Sequence, residues 1–186
     1  MRKFFKKAIF FHIMRPLDRI DRELLNLLQQ DCRMSLTDLS RHVGRSVDAV
    51  KKRLLKLQRQ YYFSPKIQIR PRSLGFPYVV DVKVKLHNYD DKQIKAFIDY
   101  LTKHPRVAEL FAISGEWNYT IVLIARDHED LGMTSDEIRT RFHTIINGWS
   151  ESLTTVAYKF EQYDLHALAT WKPQQTAEQR QKEATQ

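Results

Sequence analysis

The sequence predicts an α+β protein: an N-terminal winged helix-turn-helix followed by a ferredoxin-like βαββαβ sandwich. Two short helical patterns, separated by a glycine, follow Met34 and predict the helix-turn-helix. From residue 77 onward, strand-like and helix-like patterns alternate, which predicts the sandwich. The 186 residues allow two small domains, and a hydrophobic content of 42% is enough to give each a core.

The first helix is predicted over residues 17–30. Its apolar residues recur at helical spacing and form one buried stripe: Leu17, Ile20, Leu24, Leu27 and Leu28.

The helix-turn-helix is predicted over residues 34–53. Leu36, Leu39 and Val43 share one face of the helix expected over residues 36–43. Gly44 can adopt the left-handed conformation that ends a helix, and Ser46 has the side chain of a helix cap. A third helix is therefore expected over residues 47–60.

The third helix resembles a recognition helix, because it combines an apolar stripe with many cations. The stripe, predicted to be core, is Val47, Val50, Leu54 and Leu57. The candidate DNA-contacting residues are Arg45, Ser46, Asp48, Ala49, Lys51, Lys52, Arg53 and Lys56. Ser46 is most simply a cap, whereas Asp48, Ala49, Lys51 and Lys52 are the candidates for base edges or phosphate. Arg45 is predicted to contact phosphate or to be solvated, and Arg53 and Lys56 to hold phosphate or pair with an acid.

A wing is predicted after the third helix. Tyr62, Phe63, Ile67 and Ile69 suggest short strands, and Pro65 is expected to turn the chain between them. Pro71, Gly75 and Pro77 interrupt the chain here, and residues 71–76 are interpreted as a linker.

The second half contains four predicted strands and two predicted helices. The strands are expected over residues 78–86, 107–114, 119–125 and 153–163, and the helices over residues 92–103 and 135–146. Both helices would cover one sheet face, so we expect a second copy of the chain to cover the other. A homodimer or a higher homo-oligomer is therefore predicted through residues 77–168.

The distribution of charge points to duplex DNA as a partner. The chain has a net charge of +9, and residues 41–72 hold ten cations against the single acid Asp48. A cationic face can also be merely solvated, but its coincidence with a helix-turn-helix favours contact with phosphates. The sequence contains no pattern for a catalytic site, a metal site or a cofactor, and Cys32 is its only cysteine. We expect a cytoplasmic protein without membrane association.

The chain resembles the Lrp/AsnC family of regulators in both halves. The first resemblance is LDRIDRELLNLLQQDCRMSLTDLSRHVGRSVDAVKKRLLKLQ, which matches the family's L-D-x-x-D, D-x-R-x-S and V-x-x-R patterns in register. The second is FAISGEWNYTIVLIARD, which is similar to the V-x-G-x-x-D-Y-x-L signature of the family's RAM-type regulatory domain. The resemblance implies a non-enzymatic, sequence-specific transcription regulator that binds DNA as a dimer or larger assembly.

The resemblance also implies a small-molecule effector site near Ser114, Gly115, Asn118 and Tyr119. Asn118 replaces the family's aspartate, so weak or no binding of simple amino acids is expected. The family has glycine where this chain has Tyr61. Tyrosine tolerates a positive φ poorly, so the turn into the wing is expected to differ.

Five segments are predicted. Residues 1–14 are a disordered extension or reflect a mis-assigned start, with Met1 or Met14 as the true first residue. Residues 15–70 form the winged helix-turn-helix, 71–76 the linker, 77–168 the regulatory and oligomerisation domain, and 169–186 a flexible tail. Two alternative functions stay open: an architectural DNA-binding protein of low sequence specificity, and an enzyme resembling the siroheme decarboxylases.

Overall fold

The computed structural model describes residues 15–172, which form two compact units. One unit comprises residues 15–66 and 159–172, and the other is Ile67–Tyr158. The predictions for residues 1–14, and for the tail beyond residue 172, fall outside the described residues. Among the described residues, no helix is long and apolar enough to cross a membrane.

Three helices build the first unit, and each begins at a side-chain cap. Helix α1 is Arg19–Gln30, α2 is Leu36–Val43 and α3 is Val47–Arg59. Asp18, Ser35 and Ser46 are their N-caps, and each accepts a hydrogen bond from a backbone N–H in the first turn. Leu24, Leu39 and Val50 form the buried centre, which confirms the predicted helices and most of their apolar stripes.

The predicted wing hairpin is wrong. Residues 63–70 contain neither strand nor helix, and the side chains of Ile67 and Ile69 are exposed. Pro65 and Pro71 lack the backbone N–H donors that a hairpin ladder needs. The side chains of Ile67 and Ile69 bury little apolar surface that could stabilise a hairpin there.

The second unit is a four-stranded antiparallel sheet with the strand order β2-β3-β1-β4. The strands are β1 (Tyr78–Leu86), β2 (Val107–Ala112), β3 (Tyr119–Ala125) and β4 (Ile146–Leu153). Helix α4 is Asp91–Leu101 and helix α5 is His128–Arg141, while a 3-10 turn, Pro71–Leu74, precedes β1. The βαββαβ order is confirmed.

The last helix and the last strand lie earlier in the chain than predicted. Helix α5 begins directly after its cap, Asp127. The sequence pattern missed this start, because polar residues fill the first turn and conceal the apolar face of the helix. Phe142 and Ile145 are buried in the turn after the helix rather than within it. Strand β4 is Ile146–Leu153, so the prediction of residues 153–163 is wrong. The pattern missed this edge strand because it is largely exposed and shows no apolar alternation.

Both helices pack on one sheet face. Phe97 of α4 is fully buried, and its ring meets those of Tyr119 and Phe142 at centroid distances of 5.5 and 5.1 Å. Val82 and Ile121 lie beside it in the same core. The other sheet face carries the alternate residues of the strands and has no covering layer among the described residues.

A short sixth helix, α6 (Leu165–Thr170), ends the described chain. It contacts α1, so residues 159–168, which the sequence analysis placed with the second domain, pack in the first unit. The predicted domain limits themselves stay a prediction.

Candidate nucleic-acid interface

The turn between α2 and α3 is fixed by two local devices. Gly44 ends α2 in the left-handed conformation at φ 63°, where a side chain would be strained. Ser46 begins α3, because its hydroxyl accepts a hydrogen bond from the Ala49 N–H at 3.3 Å. Arg45 lies between them, fully at the surface, and its guanidinium donates to the Gly44 carbonyl at 3.1 Å.

The outer face of α3 is a free cationic surface. Lys51, Lys52 and Lys56 are exposed, and within residues 15–172 no carboxylate lies within ion-pair distance of them. Asp48, also exposed, occupies the first turn, where its charge favours the positive helix end. Three exposed ammonium groups on one helix suit a polyanionic partner.

Arg53 differs from these lysines, because it turns back toward α1. Its Nη1 donates to Asp18 at 2.5 Å and to Asp21 at 2.8 Å. The Asp21 side chain is fully buried, and Arg15 approaches its other oxygen at 2.6 Å. Of the two roles that the sequence left open for Arg53, the structure contains the intramolecular ion pair.

This ion pair shifts the pKa of both partners. Burial by itself would raise the pKa of the Asp18 carboxyl, but the Asp21 N–H and the Arg53 guanidinium lower it below its usual value. The hydrogen bond to Asp18 is the largest cause of a raised pKa for Arg53. Both groups are therefore charged at neutral pH, and the pair joins α3 to α1.

The burial of two small apolar residues on α3 was difficult to predict from the sequence. Val47 was predicted to be core, which is wrong, because 39% of its surface is exposed at the start of α3. A first-turn residue has few neighbours on either side, so helical spacing alone cannot show that it is buried. Ala49 is half-buried, between the exposed surface and the core.

Tyr61 follows α3 in a strained conformation. Its φ is 61°, in the left-handed region, and 88% of the residue is exposed. Its side chain therefore gains little packing to offset the strain, which is about 1–2 kcal/mol for a residue other than glycine. Tyr61 was expected to change this turn, but it keeps the left-handed conformation that a glycine would adopt.

The four residues predicted near an effector site lie at the connection between β2 and β3, but in different environments. Ser114 and Gly115 are exposed, and Gly115 has a φ of 128°. The Asn118 carboxamide accepts a hydrogen bond from the Leu86 N–H at 2.7 Å, which extends the β1–β3 pairing past its last residue pair. Tyr119 is buried in the helix-covered core, and this burial raises the pKa of its phenol, with Tyr89 adding to the rise.

Family models match both halves of the chain. A model of the AsnC-type helix-turn-helix domain matches residues 17–58, and a model described as the Lrp/AsnC ligand binding domain matches residues 79–158. The first match includes the whole turn and the cationic face of α3.

Curated proteins give the same result, and solved structures share the fold. An HTH-type transcriptional regulator from Pyrococcus horikoshii is 30% identical over 67% of this chain and 78% of its own length. The DNA-binding transcriptional activator DecR from Escherichia coli is 28% identical over 79% of this chain and 95% of its own length. A transcriptional regulator from Neisseria meningitidis, solved as a complex with L-Met, shares the fold with a TM-score of 0.74 and 21% identity. That likeness covers 82% of this chain and 99% of the other.

Proposed function

Because this chain belongs to the Lrp/AsnC family of transcription regulators, we propose that it contacts duplex DNA through the outer face of α3. The observation that carries this proposal is the set of exposed cations on a capped helix directly after a tight turn, with no ion-pair partner for its lysines inside the described part of the chain. An exposed helix of this kind fits the major groove, whereas its neighbour α2 supports it.

Each residue of the face has a proposed role. Lys51, Lys52 and Lys56 contact phosphates, and Arg45 at the turn does the same. Asp48 can accept a hydrogen bond from a cytosine amine, and Val47 can pack on a thymine methyl group. Ser46 and Ala49 shape the start of the helix, and Arg53 positions α3 through its ion pair rather than meeting DNA.

Regulation requires that some duplexes bind more tightly than others. The test is a titration of genomic fragments recovered with the protein against random duplexes of equal length, at one salt concentration. A regulator binds its own fragments at least about a thousandfold more tightly than random duplex. Equal affinities would favour the architectural alternative instead.

We propose that the protein works as a homodimer, or a higher homo-oligomer, through the uncovered sheet face within residues 77–168. Val79, Val122 and Ile124 lie on that face beside Asp81 and Glu109, so it is mixed rather than wholly apolar. Burial of the apolar part would contribute about 25 cal/mol per Å². In sedimentation of the full chain, Val122→Glu would place a third carboxylate there and dissociate the assembly. Lys95→Glu on the exposed side of α4 is the control and leaves the assembly intact.

The proposal includes a small-molecule effector that binds at the connection between β2 and β3. Two observations support a small-molecule ligand. The matching family domain is described as a ligand binding domain, and the similar regulator from Neisseria meningitidis was solved as a complex with L-Met. Asn118 lacks the charge that would balance an ammonium group, so we propose that simple amino acids bind weakly here. The relatives are regulators, and the proposed role involves no enzymatic reaction.

A further inference from the structure

A polar stripe on α1 holds the segment that follows the regulatory fold. Glu23, Asn26 and Gln29 recur every three residues, so they project from one face of the helix. This face is distinct from the apolar face of α1, which contributes Leu24 to the core. Residues 163–166, here called the strap, lie on the polar stripe.

Two amide side chains of the stripe bind the strap backbone. Gln29 donates to the Tyr163 carbonyl and accepts from the Tyr163 N–H, both at 2.9 Å. Asn26 accepts from the Leu165 N–H at 3.0 Å and donates to the Asp164 carboxylate at 3.3 Å. Each amide thus satisfies one donor and one acceptor of the strap, as a neighbouring β-strand would.

Side-chain contacts fix the register of the strap. His166 Nε2 lies 2.8 Å from the Glu23 carboxylate, one turn of α1 before Asn26. Asp164 also caps α6, since it accepts from the His166 and Ala167 N–H groups. Because Asp164 serves both the cap and Asn26, docking of the strap and formation of α6 stabilise each other.

The strap and the recognition helix share α1 as a support. The start of α1 carries Asp18 and Asp21, which hold Arg53 of α3, and its remaining turns carry the stripe. Chains of hydrogen bonds and rigid elements of this kind can transmit a change from one surface to another. The strap lies beyond residue 158, where the match to the regulatory domain of the family ends.

We propose that the polar stripe of α1 is a peptide-docking surface whose ligand is the chain's own strap, and that docking holds α3 in its DNA-binding position. The docking of the strap concerns only the first unit, residues 15–66 and 159–172. The second half of the proposal rests on the proposed function, because it concerns affinity for duplex DNA. The strap continues the chain from β4 through residues 154–162, so the docked strap connects the regulatory fold to α1 along the backbone, and its release removes that connection.

The test exchanges an amide and a carboxylate across the contact. In full-length Asn26→Asp, two carboxylates face each other, so amides of residues 163–170 should lose protection from hydrogen exchange. Adding Asp164→Asn restores one amide opposite one carboxylate, and asparagine still caps α6, so protection should return. Affinity for a bound duplex should fall roughly two- to thirtyfold in the single variant and recover in the double variant.

A second pair of variants tests the docking with neighbouring glutamines. Gln29→Ala should loosen the strap, whereas Gln30→Ala should not, because within residues 15–172 the exposed Gln30 side chain makes no hydrogen bond. Unchanged exchange in both Asn26→Asp and Gln29→Ala would overturn the docking. A released strap with affinity changed by less than twofold would overturn the coupling. A wild-type chain that bound no duplex would overturn the proposed function and the coupling, while the exchange data would still decide the docking.

Discussion

Arg53 of α3 donates a 2.8 Å hydrogen bond to Asp21, whose carboxylate is completely buried beneath it. A buried carboxylate that loses its partner is costly, because its desolvation is then left uncompensated. Arg53 therefore holds α3 against α1, and we propose that it supports DNA binding only through this position.

We predict that Arg53→Ala lowers the free energy of unfolding by about 3 kcal/mol. This is the lower end of the range for a broken buried ion pair, because Arg15 still contacts Asp21. Lys52→Ala, one residue earlier and exposed, should change stability by less than about 0.5 kcal/mol. Denaturant unfolding of both variants measures the difference, and equal losses would show that the ion pair does not stabilise the fold.

The lowered pKa of Asp18 predicts a pH dependence of stability. A carboxylate with a lowered pKa in the folded state contributes stability above its unfolded pKa, about 3.9, and loses it as the pH falls through the folded pKa. Unfolding free energies from about pH 7 down to pH 2 should therefore decline more in wild type than in Asp18→Asn. Asparagine retains the helix cap but cannot titrate. Parallel curves for the two proteins would assign the acid sensitivity to other carboxylates.

Lys51 and Lys52 of α3 should control part of the salt dependence of DNA binding. Lys51→Ala with Lys52→Ala removes up to two phosphate contacts per chain, and each contributes a slope of about −0.9 to log affinity against log salt. Fluorescence anisotropy at several salt concentrations should show weaker binding and a shallower slope. Lys92→Ala with Lys95→Ala removes the same charge from exposed positions of α4 and should leave the slope nearly unchanged. The same slope in both double variants would mean that net charge alone sets the affinity.

The conformation of Tyr61 offers a route to a more stable protein. Asparagine tolerates the left-handed conformation better than tyrosine, so Tyr61→Asn should raise the free energy of unfolding by about 1 kcal/mol. Tyr61→Ala removes the same exposed ring but keeps the strain, and it should show no gain. Thermal unfolding of the three proteins compares them, and a gain in the alanine variant would trace the effect to the ring.

Local signals explain which parts of the fold were predictable. The bounds of α2 follow from Gly44 and three apolar residues, all within nine positions of one another. Strand β1 was equally clear, since its alternate valines face the helices. Strand β4 was missed because an exposed edge strand needs no apolar alternation, and its place is set by pairing with β1 instead.

The environment of a candidate site residue could be predicted where it depends on exposure along one helix. It could not be predicted where it depends on a partner that is distant in sequence. The free lysines of α3 follow from the helical pattern and its caps. The fate of Arg53 depends on Asp18, which is 35 residues away in sequence and leaves no local pattern. The strap was missed for the same reason, because amides that bind a distant backbone resemble ordinary surface residues.

The last prediction concerns Asn118 and amino-acid effectors. One carboxamide oxygen of Asn118 accepts the Leu86 N–H, so an aspartate at this position can keep that hydrogen bond with one oxygen. Its second oxygen would then supply the negative charge that an ammonium group requires. Wild type should therefore bind leucine and similar amino acids weakly, and Asn118→Asp should bind them more tightly. Isothermal calorimetry measures both affinities, and Asn118→Ala, which loses the acceptor altogether, controls for damage to the β1–β3 pairing. Tight leucine binding by wild type, or no gain in the aspartate variant, would show that this residue does not limit recognition of an amino group.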